Sequence, residues 1–224
     1  MMIDLGRTSP ELSHLQNISA IGIKTASHGS HARLVEEPMN PSLKVWTLKS
    51  ESSLIQFKVR HLMISLVTGN FRSFEGKLSW DQKDPVNSSA TARIRVESVS
   101  TGDVSRDRHL VGPDFFDAAR YPEITFMSTK LTKENSRAFT MEGNLTMHGA
   151  SQAVVLQCEG PTHTEGSESS SEALRFRAKT KIHRKAFGLE WSPAIEAGGV
   201  LVGNEIEIKL ELEFIEDGKP IKAS

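Results

Sequence analysis

From Leu43 to about Glu216 the chain alternates apolar and polar residues with a period of two, in segments separated by turn residues. That is the pattern of strands with one buried face. Nine apolar sets can be read off. Trp46 and Leu48 come first, then Ile55, Phe57, Val59 and His61, then Phe74, Gly76, Leu78 and Trp80. Ala92, Ile94 and Val96 follow, then Ile124 and Phe126, then Phe139, Met141, Gly143, Leu145 and Met147. The last three are Val154, Leu156 and Cys158; Leu174, Phe176, Ala178, Thr180 and Ile182; and Ile206, Ile208, Leu210, Leu212 and Phe214. Short strands at regular spacing predict an all-β antiparallel sandwich or barrel rather than an α/β plan.

The polar faces of the last two segments are complementary. One carries Arg175, Arg177, Lys179, Lys181 and His183; the other carries Glu205, Glu207, Lys209, Glu211 and Glu213. Opposite charges across an antiparallel pair contribute ~0.2–1 kcal/mol each, so these two strands are expected to be neighbours. Two connections are long. "DVSRDRHLVGPDFFDAARYP" (103–122) shows short helical patterns around 106–111 and 114–119, and its Leu110, Phe115 and Phe116 could cap one end of a barrel. "GPTHTEGSESSSE" (160–172) is polar throughout and reads as a solvated loop.

Residues 1–41 are rich in Ser, His, Gly and Pro without a period and read as a flexible extension; residues 217–224 read as a short tail. Lys plus Arg number 27 against 28 Asp plus Glu, which leaves no global basic field for nucleic acid. No run has the length of a transmembrane helix. "MMIDLGRTSPEL" lacks the basic start and apolar core of a secretory peptide, so a cytoplasmic location is expected. The single Cys158 fits a reducing compartment and equally a barrel exported without a disulfide.

Gly76, Ala92, Gly143, Ala178 and Thr180 are small residues at inward positions. They either leave room for a guest or relieve crowding at bends. Met141 and Met147 are either adaptable lining for a guest or plain core filler, the more usual role of Met. His61 ends an apolar stripe: it either closes a barrel end with its nitrogens bonded to the protein, or meets the polar end of a bound molecule. His109, beside Arg106, Asp107 and Asp114, belongs to a connection where local ion pairs and helix caps are usual. His148 reads as a turn residue, and "HGSH" (28–31) as a weak metal pattern. No metal-ligand spacing, nucleophile–base–orienter set or phosphate-cradling loop is present, so no cofactor or metal is expected.

The segments "SLIQFKVRHL", "GNFRSFEGKLSWD", "RDRHLVGPDFFDAARYPEITFMST", "GNLTMHGASQAV", "HRKAFGL" and "VGNEIEIKLELE" resemble, in order, the signature blocks of the YceI-like family over residues 43–216. The resemblance implies a lipocalin-like fold, an extended eight-stranded antiparallel barrel over 42–216 with a short helical connection around 104–120. It also implies non-enzymatic binding, transport or sequestration of a long apolar ligand, a polyisoprenoid, isoprenoid quinone or fatty-acid-like lipid, in a central tunnel. The nine segments would then reduce to eight strands.

On that reading the wall is formed by Trp46, Ile55, Phe57, Val59, His61, Ile94, Phe126, Met141, Leu145, Phe176, Ala178, Ile182 and Ile208, with Phe115 and Phe116 from the long connection. The expected partner is a hydrophobic small molecule, with a homodimer as a candidate assembly. Two other readings compete. One is an enzyme or redox or stress-response protein acting on or with a bound quinone, using His61 and the 106–117 loop. The other is a structural β domain with a solid core. Many relatives carry a signal peptide, and this sequence shows none.

Overall fold

A computed structural model describes residues 42–61, 65–164, 172–191 and 202–217. The chain forms β1 (Leu43–Leu48), β2 (Leu54–His61), β3 (Ser65–Phe71), β4 (Phe74–Asp81), β5 (Ser89–Arg95) and β6 (Val99–Ser100). The helix α1 (Val104–Val111) follows, then β7 (Glu123–Lys133), β8 (Ala138–Met147), β9 (Ala150–Thr164), β10 (Ala173–His183) and β11 (Val202–Glu216). Every pairing is antiparallel.

Eleven ladder segments make eight barrel strands, because three strands are bent and broken. β1 pairs with β4 and β2 with β3, so β1–β2 and β3–β4 are two legs each of adjacent strands. β5 pairs with β4 while β6 pairs with β3, which makes β5–β6 the third bent strand. The order then runs through β7, β8, β9, β10 and β11. β11 closes the sheet by pairing with β2 over Ile206–Glu211 and with β1 at Phe214–Glu216. The fold is an eight-stranded closed antiparallel barrel with one α-helix among the described residues, as expected from the sequence.

The apolar faces point inward. One strand was not separated in the sequence pattern: β3, whose Val67 and Phe71 alternate with Gly69. Gly69 is required there. A Cβ would lie 2.3 Å from the Phe57 ring, which rests on the glycine across the strand pair. Gly143 plays the same part for Phe126, whose ring would be 2.5 Å from an added Cβ. A register shift in β7 between Ser128 and Lys130 reverses the parity of the strand, so Leu131 is turned in and is 1% exposed.

The connection after β6 carries one helix, not two. Asp103 caps α1 by accepting from the Arg106 N–H at 3.0 Å. The pattern at 114–119 folds instead as turns, with Phe115 and Ala118 buried. The polar loop is also shorter than expected, since β9 runs to Thr164 and pairs with β10 through Thr162, His163 and Thr164. Residues 165–171 and the extension 1–41, with "HGSH", lie outside the described residues.

β10 and β11 are neighbours in the charge-matched register: Arg175 faces Glu213, Arg177 faces Glu211, Lys181 faces Glu207 and His183 faces Glu205. Lys179 faces Lys209, and the like charge is relieved by a 2.8 Å bond from Lys209 to Glu211. Most of these pairs are exposed and worth little. Arg175–Glu213 differs, because the Glu213 side chain is 8% exposed and receives Arg175 Nε at 2.6 Å. Burial pushes the Glu213 carboxyl up, but the Arg175 guanidinium and the Lys49 ammonium outweigh it and hold the group below its ordinary value. A depressed folded value means stability that is present above the unfolded pKa and lost as pH falls through the folded one. The stability difference between wild type and Glu213→Gln is therefore expected to be largest near neutrality and to shrink below about pH 4.5, measured by urea denaturation across pH.

Candidate functional site

The inward side chains do not meet at the barrel axis. They surround a cavity of about 550 Å³, within the range of small-molecule sites. Its floor lies where β4 and β11 end and β8 and β10 begin. There Trp80, Phe139, Phe176 and Phe214 interlock, with Trp80 edge-on to Phe176 at 5.2 Å and Phe176 edge-on to Phe214 at 6.0 Å. All four are buried, and Trp80 Nε1 is a buried donor without a hydrogen-bond partner among the described residues.

The opposite end is built by the connections. Leu110, Phe115 and Phe116 come from the α1 connection, and Leu189 and Trp191 from the segment after β10. The Trp191 ring lies 5.3 Å from Phe115, and the edge of His109 meets Trp191 at 4.6 Å. The charged side chains of the wall, Asp103, Arg106, His109 and Arg184, all belong to this end. His109 Nε2 lies 3.3 Å from Asp114 Oδ2, the local pairing expected of this loop. His148 is the turn residue it was read as, at φ 52°, and donates from Nδ1 to the Phe187 carbonyl at 3.2 Å.

Of the residues assigned to the wall from sequence, Ile55, Phe57 and Val59 line the cavity from β2 and Ile94 from β5. Phe126 lines it from β7, Met141 and Leu145 from β8, and Phe176, Ala178 and Ile182 from β10. Ile208 completes the strand set from β11, and Phe115 and Phe116 reach it from the connection. Trp46 departs from the expectation: it is 3% exposed in the core and does not line the cavity, although its cross-strand partner Leu78 does. His61 pairs with Ser65 and Val202 through β2, and its side chain lies outside the described residues.

Sequence reading missed Arg184, Leu189 and Trp191, which sit in a segment without period. Arg184 is 2% exposed and donates to four backbone carbonyls: Nε to Gly203 (3.0 Å), Nη1 to Leu189 (2.5 Å) and Trp191 (2.9 Å), and Nη2 to Val202 (3.2 Å). Burial pushes its guanidinium pKa down. The signals available were a basic residue directly after an apolar strand, followed by Phe187 and Leu189, and the block "HRKAFGL" that holds Arg184 and Leu189. Among the described residues no cluster of three His, Cys, Asp or Glu side chains is placed to hold a metal.

The family model for the YceI-like domain matches residues 46–214. The chain belongs to the YceI-like family. A UPF0312 protein of Staphylococcus epidermidis is 32% identical over 160 residues, covering 71% of this chain and 91% of its relative. The crystal structure of a Campylobacter jejuni YceI protein superposes with a TM-score of 0.61 at 30% identity, over 72% of this chain and 91% of the other. A polyisoprenoid-binding domain from Saccharophagus degradans shares the fold at a TM-score of 0.54 and 16% identity, over 78% of this chain and 99% of that one. The YceI-like barrel therefore accounts for nearly all of the described chain, and the cavity lies inside it.

Two outcomes follow for this YceI-like barrel. Arg184→Met leaves four carbonyls without their donor and is expected to lower stability by about 2–4 kcal/mol in urea denaturation. Cys158 lines the cavity, and burial pushes its thiol up to about 12. A water-soluble thiol reagent at pH 8 should label the native protein about a thousandfold more slowly than the protein in urea.

Proposed function

We propose that the protein is a non-enzymatic carrier or sequestering protein that holds one long apolar molecule, an isoprenoid, an isoprenoid quinone or a fatty-acid-like lipid, inside the barrel. The observation that carries this is the cavity of about 550 Å³, walled by apolar side chains, with charged groups confined to one end. Burying each methylene of a guest is worth roughly 0.8 kcal/mol, so a dozen buried carbons contribute roughly 10 kcal/mol against an association cost of about 4–15 kcal/mol. Membership of the YceI-like family and the polyisoprenoid-binding description of the Saccharophagus degradans domain support the same reading.

The His109–Asp114 pair at the mouth favours a second reading, proton chemistry on the head of a bound quinone. It predicts that His109→Ala abolishes turnover of a quinone while leaving its binding intact. The carrier reading predicts no turnover to lose. Native mass spectrometry of freshly purified protein, followed by solvent extraction, should recover one hydrophobic molecule per chain. Protein that emerges ligand-free and also fails to bind a fluorescent fatty acid after delipidation would refute the carrier reading.

A further inference from the structure

The outside of the α1 end carries the two most exposed large apolar side chains among the described residues, Val104 at 76% and Leu66 at 65%. Single exposed apolar residues are ordinary on a protein surface. These two share a position. β3 and β6 pair at Asn70 and Ser100; Leu66 lies four residues before that pair on β3, and Val104 four residues after it in the chain. In an antiparallel pair both steps lead the same way, here toward the mouth. Val104 stands between Asp103 and Ser105, and Leu66 beside Val67, and all three of these neighbours line the cavity.

Each of the two has an arginine beside it. Val104 and Arg108 are one turn apart on α1 and share a face, and Leu66 lies directly opposite Arg60 across β2 and β3. Both arginines are exposed. The carboxylates of α1 and its cap are engaged locally: Asp103 accepts from the Arg106 N–H at 3.0 Å, and Asp107 from the Thr101 N–H at 2.8 Å. Arg108 meets no carboxylate among the described residues. Arg60 acts weakly on Glu205, whose main partner is Lys181 at 2.8 Å. An apolar side chain next to a guanidinium is the pairing that settles at the headgroup layer of a bilayer, the first among acyl carbons and the second on phosphates. We propose that the α1 end is a membrane-docking face, in which Val104 and Leu66 enter an anionic bilayer, Arg108 and Arg60 meet its phosphates, and the guest passes between bilayer and barrel at that contact. The docking stands on the exposed face; the passage of a guest rests on the carrier reading. Two apolar side chains and two cations give weak, reversible and salt-sensitive attachment, as a shuttle requires.

Delipidated full-length protein is mixed with vesicles of phosphatidylcholine, alone or with about one-third phosphatidylglycerol, and its partition is read by flotation. Wild type should float with the anionic vesicles and be released by salt. Val104→Glu and Leu66→Glu should each lower that partition by about tenfold or more, and Arg108→Gln by about fivefold. Val86, 51% exposed in the turn after β4 at the other end of the barrel, supplies the control: Val86→Glu should bind as wild type does. All four positions are exposed, so the variants fold alike.

The rate at which a bound fluorescent fatty acid reaches the vesicles should rise with vesicle concentration in wild type, because docking precedes release. In Val104→Glu it should become independent of vesicle concentration, while affinity for the fatty acid without vesicles stays the same. Equal partition onto neutral and anionic vesicles, unchanged partition of Val104→Glu and Leu66→Glu, or an equal loss in Val86→Glu overturns the proposal. Binding to neither vesicle overturns it in favour of a protein partner for this face. A protein that docks as described but takes up no fatty acid upholds the docking and refutes the carrier reading.

Discussion

Closure of the sheet through β11 is the constraint on which the rest depends. This strand pairs with β10 along one edge, and along the other it serves β2 and β1 in turn. An open sheet of this composition would bury its apolar face by folding onto itself or onto another layer, and a packed sandwich core would follow. A ladder that returns to its own first strand removes both edges and fixes the distance across the interior by strand number and tilt. The interior is then filled only as far as the side chains reach.

How far they reach is set by a few small residues. Phe57 lies on Gly69 and Phe126 on Gly143, so two of the largest inward side chains rest along the wall instead of projecting toward the axis. Ala90, Ala92 and Ala178 add little bulk at the same level. The aromatic rings gather instead at the end where β4 and β11 finish, where they interlock. Large residues at one end and small ones in the middle leave an elongated cavity with its charged side chains at the other end.

Those features were legible in the sequence to different degrees. The inward sets were readable because period-two alternation survives wherever one face is buried, and the β10–β11 neighbourhood was readable from the matched charges of Arg175, Arg177 and Lys181 against Glu213, Glu211 and Glu207. Alternation fails at Gly69, which lacks a side chain to show it, and β3 was hidden for that reason. It also breaks at the bulge in β7, where parity changes and Leu131 turns inward. The small inward residues left pocket and packed core equally open, because sequence shows side-chain size but not where a neighbouring ring lies. Trp46 was assigned to the wall for its parity, and it is buried in the core without lining the cavity. The mouth was the least legible part: Arg184, Leu189 and Trp191 are held by backbone carbonyls and ring contacts that leave no period.

The size of the cavity ties stability to binding. Apolar space lost from a core weakens a protein by about 24 cal/mol per Å³. A region of about 550 Å³ that side chains do not fill forgoes the packing contacts those atoms would have made. The closed ladder, the interlocked aromatic rings and the carbonyl cradle around Arg184 are the contacts that the protein makes without a guest. A guest that fills the space adds its contacts to the folded state alone and stabilises it by mass action. Apolar walls give such a guest affinity that grows with the length it buries.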